Sequence, residues 1–211
     1  KMLREYLLYG GLPQVVIESD EMKKVEYLKK QLTHTYLKDI HERYGIQHDD
    51  DLNELVSIIA STVGSMTNPT NLANTFKSEK KSRISRDTIA KYLEYMEDAF
   101  MIERSVRYDI RGKRYIDTPY KYYFGDIGLR NARINFRQND DGHLMENMLY
   151  NELRILGYSV DVGQVITEQK DAEGNRKRVT FEVDFVCNRG YNRVYIQSAY
   201  EMGNADKVRQ E

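Results

Sequence analysis

Cysteine is nearly missing from this chain, with Cys187 the single example in 211 residues. One thiol cannot build a disulfide framework or a cysteine-based zinc site, and its place in an apolar strand makes it a buried, inert group. A reducing, cytoplasmic setting is the expectation that follows. Long apolar runs are missing too: none approaches the roughly 20 residues that cross a bilayer, and no charged-then-apolar leader opens the chain, so no membrane partner is expected. No G-x-x-x-x-G-K-S/T phosphate loop occurs, and the glycines stand at helix ends and turns where backbone geometry accounts for them. ATP hydrolysis is therefore not expected of these residues. A charge excess is also absent. The 32 Lys and Arg against 33 Asp and Glu leave a net charge of -1, so only a local patch can carry nucleic-acid binding.

What is present suits one large or two modest cores, with 40% hydrophobic and 31% charged residues. The chain opens at Lys1 and closes on a short polar tail, and it reads as a fragment. LREYLLYGGLPQVV is an apolar helix stub stopped by Gly10, Gly11 and Pro13. From Glu21 to Tyr44, Val25, Leu28, Leu32, Tyr36 and Ile40 recur at helical steps, which predicts a long amphipathic helix. Its other face, with Lys23, Lys24, Lys29, Lys30 and Lys38, is read as solvated. His34, His41 and His48 lie seven apart, but no carboxylate or cysteine cluster completes a metal-ligand set.

Three further helices follow: Asp51 to Gly64 with Leu52, Leu55, Val56, Ile59 and Val63 inward; Asn68 to Ser78 with Leu72 and Phe76 inward; and a third, capped by Ser85, holding Ile89, Leu93 and Met96 inside. Two alternating segments, IERSVRYDI and KRYIDTPYKYYF, flank Arg111-Gly112-Lys113. Three helices and a basic hairpin form the layout of a winged helix. The candidates for contact with duplex DNA are Arg83, Arg86, Thr88 and Lys91 on the third helix and Arg111, Lys113 and Arg114 on the wing. Between Lys77 and Lys121 there are twelve Lys or Arg and eight Asp or Glu, an excess of four. Glu94, Glu97 and Asp98 on the third helix oppose that excess, so protein docking stays an alternative. Tyr108, Tyr115, Tyr120, Tyr122 and Tyr123 are read as cross-strand packing before base stacking.

The stretch from Gly142 to Tyr200 carries the remaining chemistry. GHLMENMLYNEL is a helix with Glu146 inward, and DAEGN closes a hairpin between Ser159 to Gln169 and Lys177 to Cys187. Glu182 and Asp184 are two residues apart on a strand and so share a face. A helix acid meeting strand acids resembles the core of PD-(D/E)XK nucleases, where carboxylates hold a divalent metal beside a lysine. The candidate catalytic residues are Glu146, Asp184 and Gln197, and the candidate metal ligands Asp184 and Glu146. In the pattern of that core, Gln197 stands at the second carboxylate position and Ala199 at the lysine position, so the site is expected to be degenerate, acidic and short of a cation. Lys170 or Lys177 is the alternative source of one.

The segments LREYLLYGGLPQVV, TYLKDIHERYGIQ, DTIAKYLEYMEDAFMIERSVRYDIRGKRYIDTPYKYYFGDIGLRNA, GHLMENMLYNEL and EVDFV together resemble the C-terminal half of a prokaryotic family of AAA-type ATPases. That resemblance implies an α+β chain: a helical lead-in (1–50), a winged helix (51–134) and an incomplete PD-(D/E)XK nuclease-like, restriction-endonuclease-like α/β domain (135–211). It implies a DNA- or partner-binding region of an ATP-dependent protein, and Gln197 and Ala199 at the carboxylate and lysine positions lead to the expectation that its nuclease-like domain lacks activity. The alternatives are a metal-dependent DNA nuclease and a structural oligomerisation domain. No cofactor is implied for the fragment itself; ATP and Mg²⁺, and self-association through an ATPase module, are implied for the full-length protein.

Overall fold

The structure is a computed structural model that describes residues 2–46, 49–80, 84–137, 140–170 and 176–199. It is an α+β arrangement around a five-stranded mixed sheet. Helix α1 (Met2–Tyr9) ends at Gly10, whose φ of 76° is the left-handed geometry that glycine tolerates, and α2 (Pro13–Ile17) starts on Pro13, whose missing N–H costs nothing in a first turn. Asp20 caps α3 (Glu21–Lys30), accepting from the Met22 and Lys23 amides. The expected long helix continues through a π-helical stretch, Gln31–Leu37, where the Lys38 amide reaches back to the Thr33 carbonyl, into α4 (Lys38–Tyr44). Leu28, Leu32 and Ile40 are buried as the spacing predicts.

One residue of the face read as solvated is not. Lys24 is buried, paired with Glu5 of α1 and 5.3 Å from the centre of the Tyr9 ring. The reason is tertiary, since α1 packs over the start of α3 and brings both an anion and a π face to it.

Helix α5 (Asp49–Ser61) buries Leu52, Leu55, Val56 and Ile59; α6 (Pro69–Thr75), capped by Asn68, buries Leu72; and α7 (Arg86–Asp98), capped by Ser85, buries Ile89, Leu93 and Met96. Strands β1 (Ile102–Asp109) and β2 (Arg114–Phe124) pair antiparallel. Between Ser105 opposite Lys121 and Arg107 opposite Ile116 the ladder is interrupted, and Asp117 to Tyr120, which includes a cis Thr118–Pro119 bond, leaves the register. That excursion hands Tyr120 to Thr67, just before α6, in a two-hydrogen-bond bridge of 2.7 and 2.8 Å.

Helix α8 (Ile127–Arg133) and helix α9 (Asp141–Ile155) then lead to β3 (Ser159–Lys170), β4 (Arg176–Arg189) and β5 (Asn192–Ile196). The order across the sheet is β2-β1-β3-β4-β5, with β1 and β3 parallel and the other pairs antiparallel. The strands on either side of the expected 134/135 boundary therefore share one sheet. The β3–β4 pairing runs from Ser159 opposite Asn188 to Lys170 opposite Arg176, as the alternating runs predict, although the turn at Asp171 to Asn175 lies outside the described residues.

A β-bulge in β4 sets up the site. Asp161 faces Val186 but Gly163 faces Val183, so β4 carries one extra residue at Asp184 and Phe185. In a regular strand those neighbours would point to opposite faces. Here Phe185 lies 6.5 Å from the Tyr150 ring of α9 while Asp184 lies beside Glu146 of the same helix.

Candidate functional site

Helix α9 starts at Asp140, which accepts from the His143 amide, and its first two turns carry Glu146 and Asn147 inward; both are buried. Asn147 clamps the end of β2, accepting from the Phe124 amide and donating to the Phe124 carbonyl at 2.8 Å each. Two residues upstream of Tyr123, the buried Lys121 projects onto the same face. Its Nζ lies 2.8 Å from Glu146 Oε1, 2.6 Å from Glu182 Oε1 and 3.9 Å from Asp184 Oδ1. The Tyr123 hydroxyl donates to Glu146 Oε1 at 2.5 Å, and His143 Nδ1 stands 3.8 Å from Glu146 Oε2. Three carboxylates thus converge on one ammonium.

The surroundings move the titrations. Burial raises the Asp184 carboxyl above the ordinary range; Glu146 and Glu182 add to that rise, while the Ser198 amide and Lys121 work against it. Burial alone would lower Lys121, but Glu146 and Glu182 outweigh it and hold the amine above the usual lysine value. Burial, then Glu146, drives the Tyr123 phenol well above 10.

Glu146, Glu182 and Asp184 share one face as the sequence predicts. Gln197 meets Asp184 through the backbone, its Oε1 accepting from the Asp184 amide at 3.3 Å, and the Ser198 amide donates to Asp184 Oδ2 at 2.7 Å. The expectation of an acidic pocket short of a cation is corrected. The ammonium enters from β2, on a strand the sequence assigns to the wing, and neither exposed Lys177 nor the position of Ala199 supplies it. The sequence held a signal for this: Lys121 alternates with Tyr123 in a strand of aromatic residues, and a lysine on a core face needs anionic partners. Among the described residues no group of three or more His, Cys, Asp or Glu is spaced to hold a metal ion.

The basic candidates separate from this cluster. Arg86 and Lys91 are exposed on α7, and Arg111, Lys113 and Arg114 are exposed around the β1–β2 turn, with Arg114 Nε 3.7 Å from Asp109. Thr88 is half-buried and serves the α7 cap, its amide and hydroxyl 3.0 and 2.9 Å from the Ser85 hydroxyl. Arg83 and His48 lie outside the described residues. On the acidic side of α7, Glu97 faces Arg104 at 3.8 Å, and Asp98 accepts from the Tyr44 hydroxyl at 2.7 Å. The tyrosines are cross-strand neighbours or core: Tyr108 and Tyr115 are opposite each other with rings 5.3 Å apart, and Tyr123 stacks on Tyr150 at 4.2 Å.

The segments GGLP and FGDIGL pack on each other. Asp126 caps α8 through the Leu129 amide and accepts from the Gly11 amide at 2.8 Å. A Cβ on Gly128 would come within 2.0 Å of the Tyr9 carbonyl oxygen. These glycines serve a close backbone approach.

No helix among the described residues is long and apolar enough to cross a membrane. An uncharacterized protein of Haemophilus influenzae is 35% identical over 202 residues, covering 96% of this chain and 47% of the relative. An uncharacterized protein of Methanocaldococcus jannaschii is 30% identical over 210 residues, covering 100% of this chain and 44% of the relative. The chain spans less than half the length of these curated relatives. No solved structure matches it significantly. The model of a domain of unknown function, DUF8612, matches residues 1–140, and the chain belongs to that family.

Proposed function

We propose that this chain is the duplex-DNA-binding region of a larger AAA-type ATPase, with a nuclease-like core that serves as scaffold. The observation that carries the reading is the order α5, Thr67–Tyr120 bridge, α6, α7, β1–β2 hairpin, which is similar to the connectivity of a winged helix with its short first strand. In that reading α7 lies in the major groove with Arg86 and Lys91 toward phosphates, and Arg111, Lys113 and Arg114 follow the backbone from the wing. The helix acid and paired strand acids support the nuclease-like reading of the core, and the pairing of the Lys121 ammonium with Glu146 and Glu182 supports its role as a scaffold, since their charge is already met. ATP, Mg²⁺ and self-association belong, in this proposal, to the rest of the longer protein.

The test is fluorescence anisotropy of a labelled duplex across a salt series. Binding by the 211-residue chain should weaken steeply with salt, and Arg86→Ala with Lys91→Ala should cost about tenfold or more. Salt-independent binding, or none, would overturn the reading.

A second reading, a metal-dependent DNA nuclease, draws on one observation: Lys121 restores a lysine to the acids Glu146 and Asp184. It requires Mn²⁺- or Mg²⁺-dependent nicking that disappears in both Asp184→Asn and Lys121→Met.

A further inference from the structure

Beyond Gln164 the β3–β4 hairpin leaves the sheet. Strand β1 pairs with β3 only from Val162 to Gln164, with one more hydrogen bond of 2.9 Å from the Ile110 amide to the Gln164 carbonyl. Strand β5 pairs with β4 only from Phe185 to Arg189. Val165 to Lys170 and Arg176 to Phe181 therefore form a two-stranded ribbon with no strand beside it among the described residues. A ribbon of this kind gains little from a core of its own, so its side chains are free to serve a partner.

The end of its β4 strand is basic. Arg176, Lys177 and Arg178 follow one another in β4, and all three are exposed. Among the described residues Arg176 has one weak, solvent-exposed ion-pair partner, Glu168 at 3.5 Å. Lys177 and Arg178 form no ion pair with the described residues. Arg111, from the turn between β1 and β2, reaches the same place: it lines an open notch of about 530 Å³ with Ile166, Thr167, Glu168 and Arg178. Because side chains alternate, Arg176 and Arg178 share one ribbon face and Lys177 takes the other, so both faces present positive charge.

We infer that the β3–β4 ribbon is a second DNA-contacting element, which lies along a groove of the duplex with Arg176, Lys177 and Arg178 on phosphates and Arg111 closing on the backbone beside it. A two-stranded ribbon fits the major groove, and basic side chains on both faces suit the phosphate walls that flank it. This rests on the reading of duplex DNA as partner, but it uses a different surface from α7.

The experiment compares the parent chain, Arg176→Ala/Lys177→Ala/Arg178→Ala and Arg86→Ala/Lys91→Ala by anisotropy of a labelled duplex from low to moderate salt. The ribbon variant should bind about tenfold or more weakly and lower the slope of log affinity against log salt by about 2 to 3, since each phosphate that is no longer neutralised takes about one from the slope. Arg176→Lys/Arg178→Lys should keep most of the affinity and slope, because lysine serves a phosphate as a point charge. Weakened binding in the ribbon variant with the α7 variant intact supports this inference and removes α7 from the interface. Weakened binding in the α7 variant with the ribbon variant unchanged overturns this inference alone. A parent chain that binds no duplex overturns both. An unchanged thermal midpoint of the ribbon variant shows that the fold is intact and that the binding surface is what changed.

Discussion

The buried cluster around Lys121 and the exposed basic end of the sheet use the same residue chemistry in opposite ways. Lys121 is buried, and its charge is consumed by Glu146 and Glu182 within hydrogen-bond distance. Arg111, Lys113, Lys177 and Arg178 are exposed and have no ion-pair partner among the described residues. Removing water from a charge is costly unless an opposite charge replaces it, so the buried ammonium belongs to the stability of the fold. An exposed charge contributes little to folding and keeps its field for something outside. In the proposed reading the cluster serves stability and the sheet end serves recognition, and that division can be broken from either side.

The largest effect should come from Lys121→Met. It leaves Glu146, Glu182 and Asp184 facing one another without their cation, and removing one partner of a buried pair typically costs about 3 to 5 kcal/mol. Urea unfolding at neutral pH measures this. The deficit should shrink as the pH falls, because the acids then take up protons and Asp184 already holds its proton more tightly than a free carboxyl. A neutral Lys121→Met would show that the cluster does not hold the strands and helix together.

Asn147→Ala comes next. The amide side chain satisfies both backbone groups of Phe124, but Asn151 also donates to the Phe124 carbonyl at 3.0 Å, so the amide of Phe124 is the group left unpaired. A buried, unsatisfied N–H costs about 1 to 3 kcal/mol. The same unfolding measurement should place this variant between Lys121→Met and the surface variants.

How far the sequence reaches is visible in these residues. Spacing alone places Leu28, Leu55, Ile89 and Leu93 in the core, and Cys187 as buried and inert; its thiol is pushed up to about 11 by burial. Strand alternation puts Glu182 and Asp184 on one face, opposite Glu146. Alternation misses that Phe185 faces the same way, because the bulge is a property of strand pairing. It also misses Lys121 as the cluster's cation. The sequence assigns the β2 strand to a wing, and the parallel pairing of β1 with β3 that brings it into one sheet with β4 and β5 is a contact between distant segments. Lys24 escapes for the same reason, since its partner Glu5 comes from another helix.

Alkaline titration gives a third, smaller effect. The folded Lys121 amine lies above its usual value, so the stability it contributes is complete below about pH 10.4 and is lost as pH rises through the higher folded value. Tyr123 acts in the same direction: its phenol ionises later in the folded state than in the unfolded one, so stability falls from about pH 10 upward. Lys121→Met and Tyr123→Phe should each flatten the loss of stability above pH 10. A slope unchanged in both variants would mean that neither group is held as the cluster requires.

The smallest effect is the other half of the comparison. Arg111→Ala and Arg178→Ala remove exposed charges that form no ion pair among the described residues, and surface substitutions of this kind stay within about 0.5 kcal/mol. Arg178 also borders the notch with Ile166, where an arginine stem can cover apolar surface, and Arg178→Lys or Arg178→Met controls for lost packing. Thermal and urea midpoints should be indistinguishable from the parent for Arg178→Met. A destabilisation above about 1 kcal/mol in both Arg178→Ala and Arg178→Met would place this guanidinium with Lys121, as a charge that the fold itself needs, and would end the division of labour between the two regions.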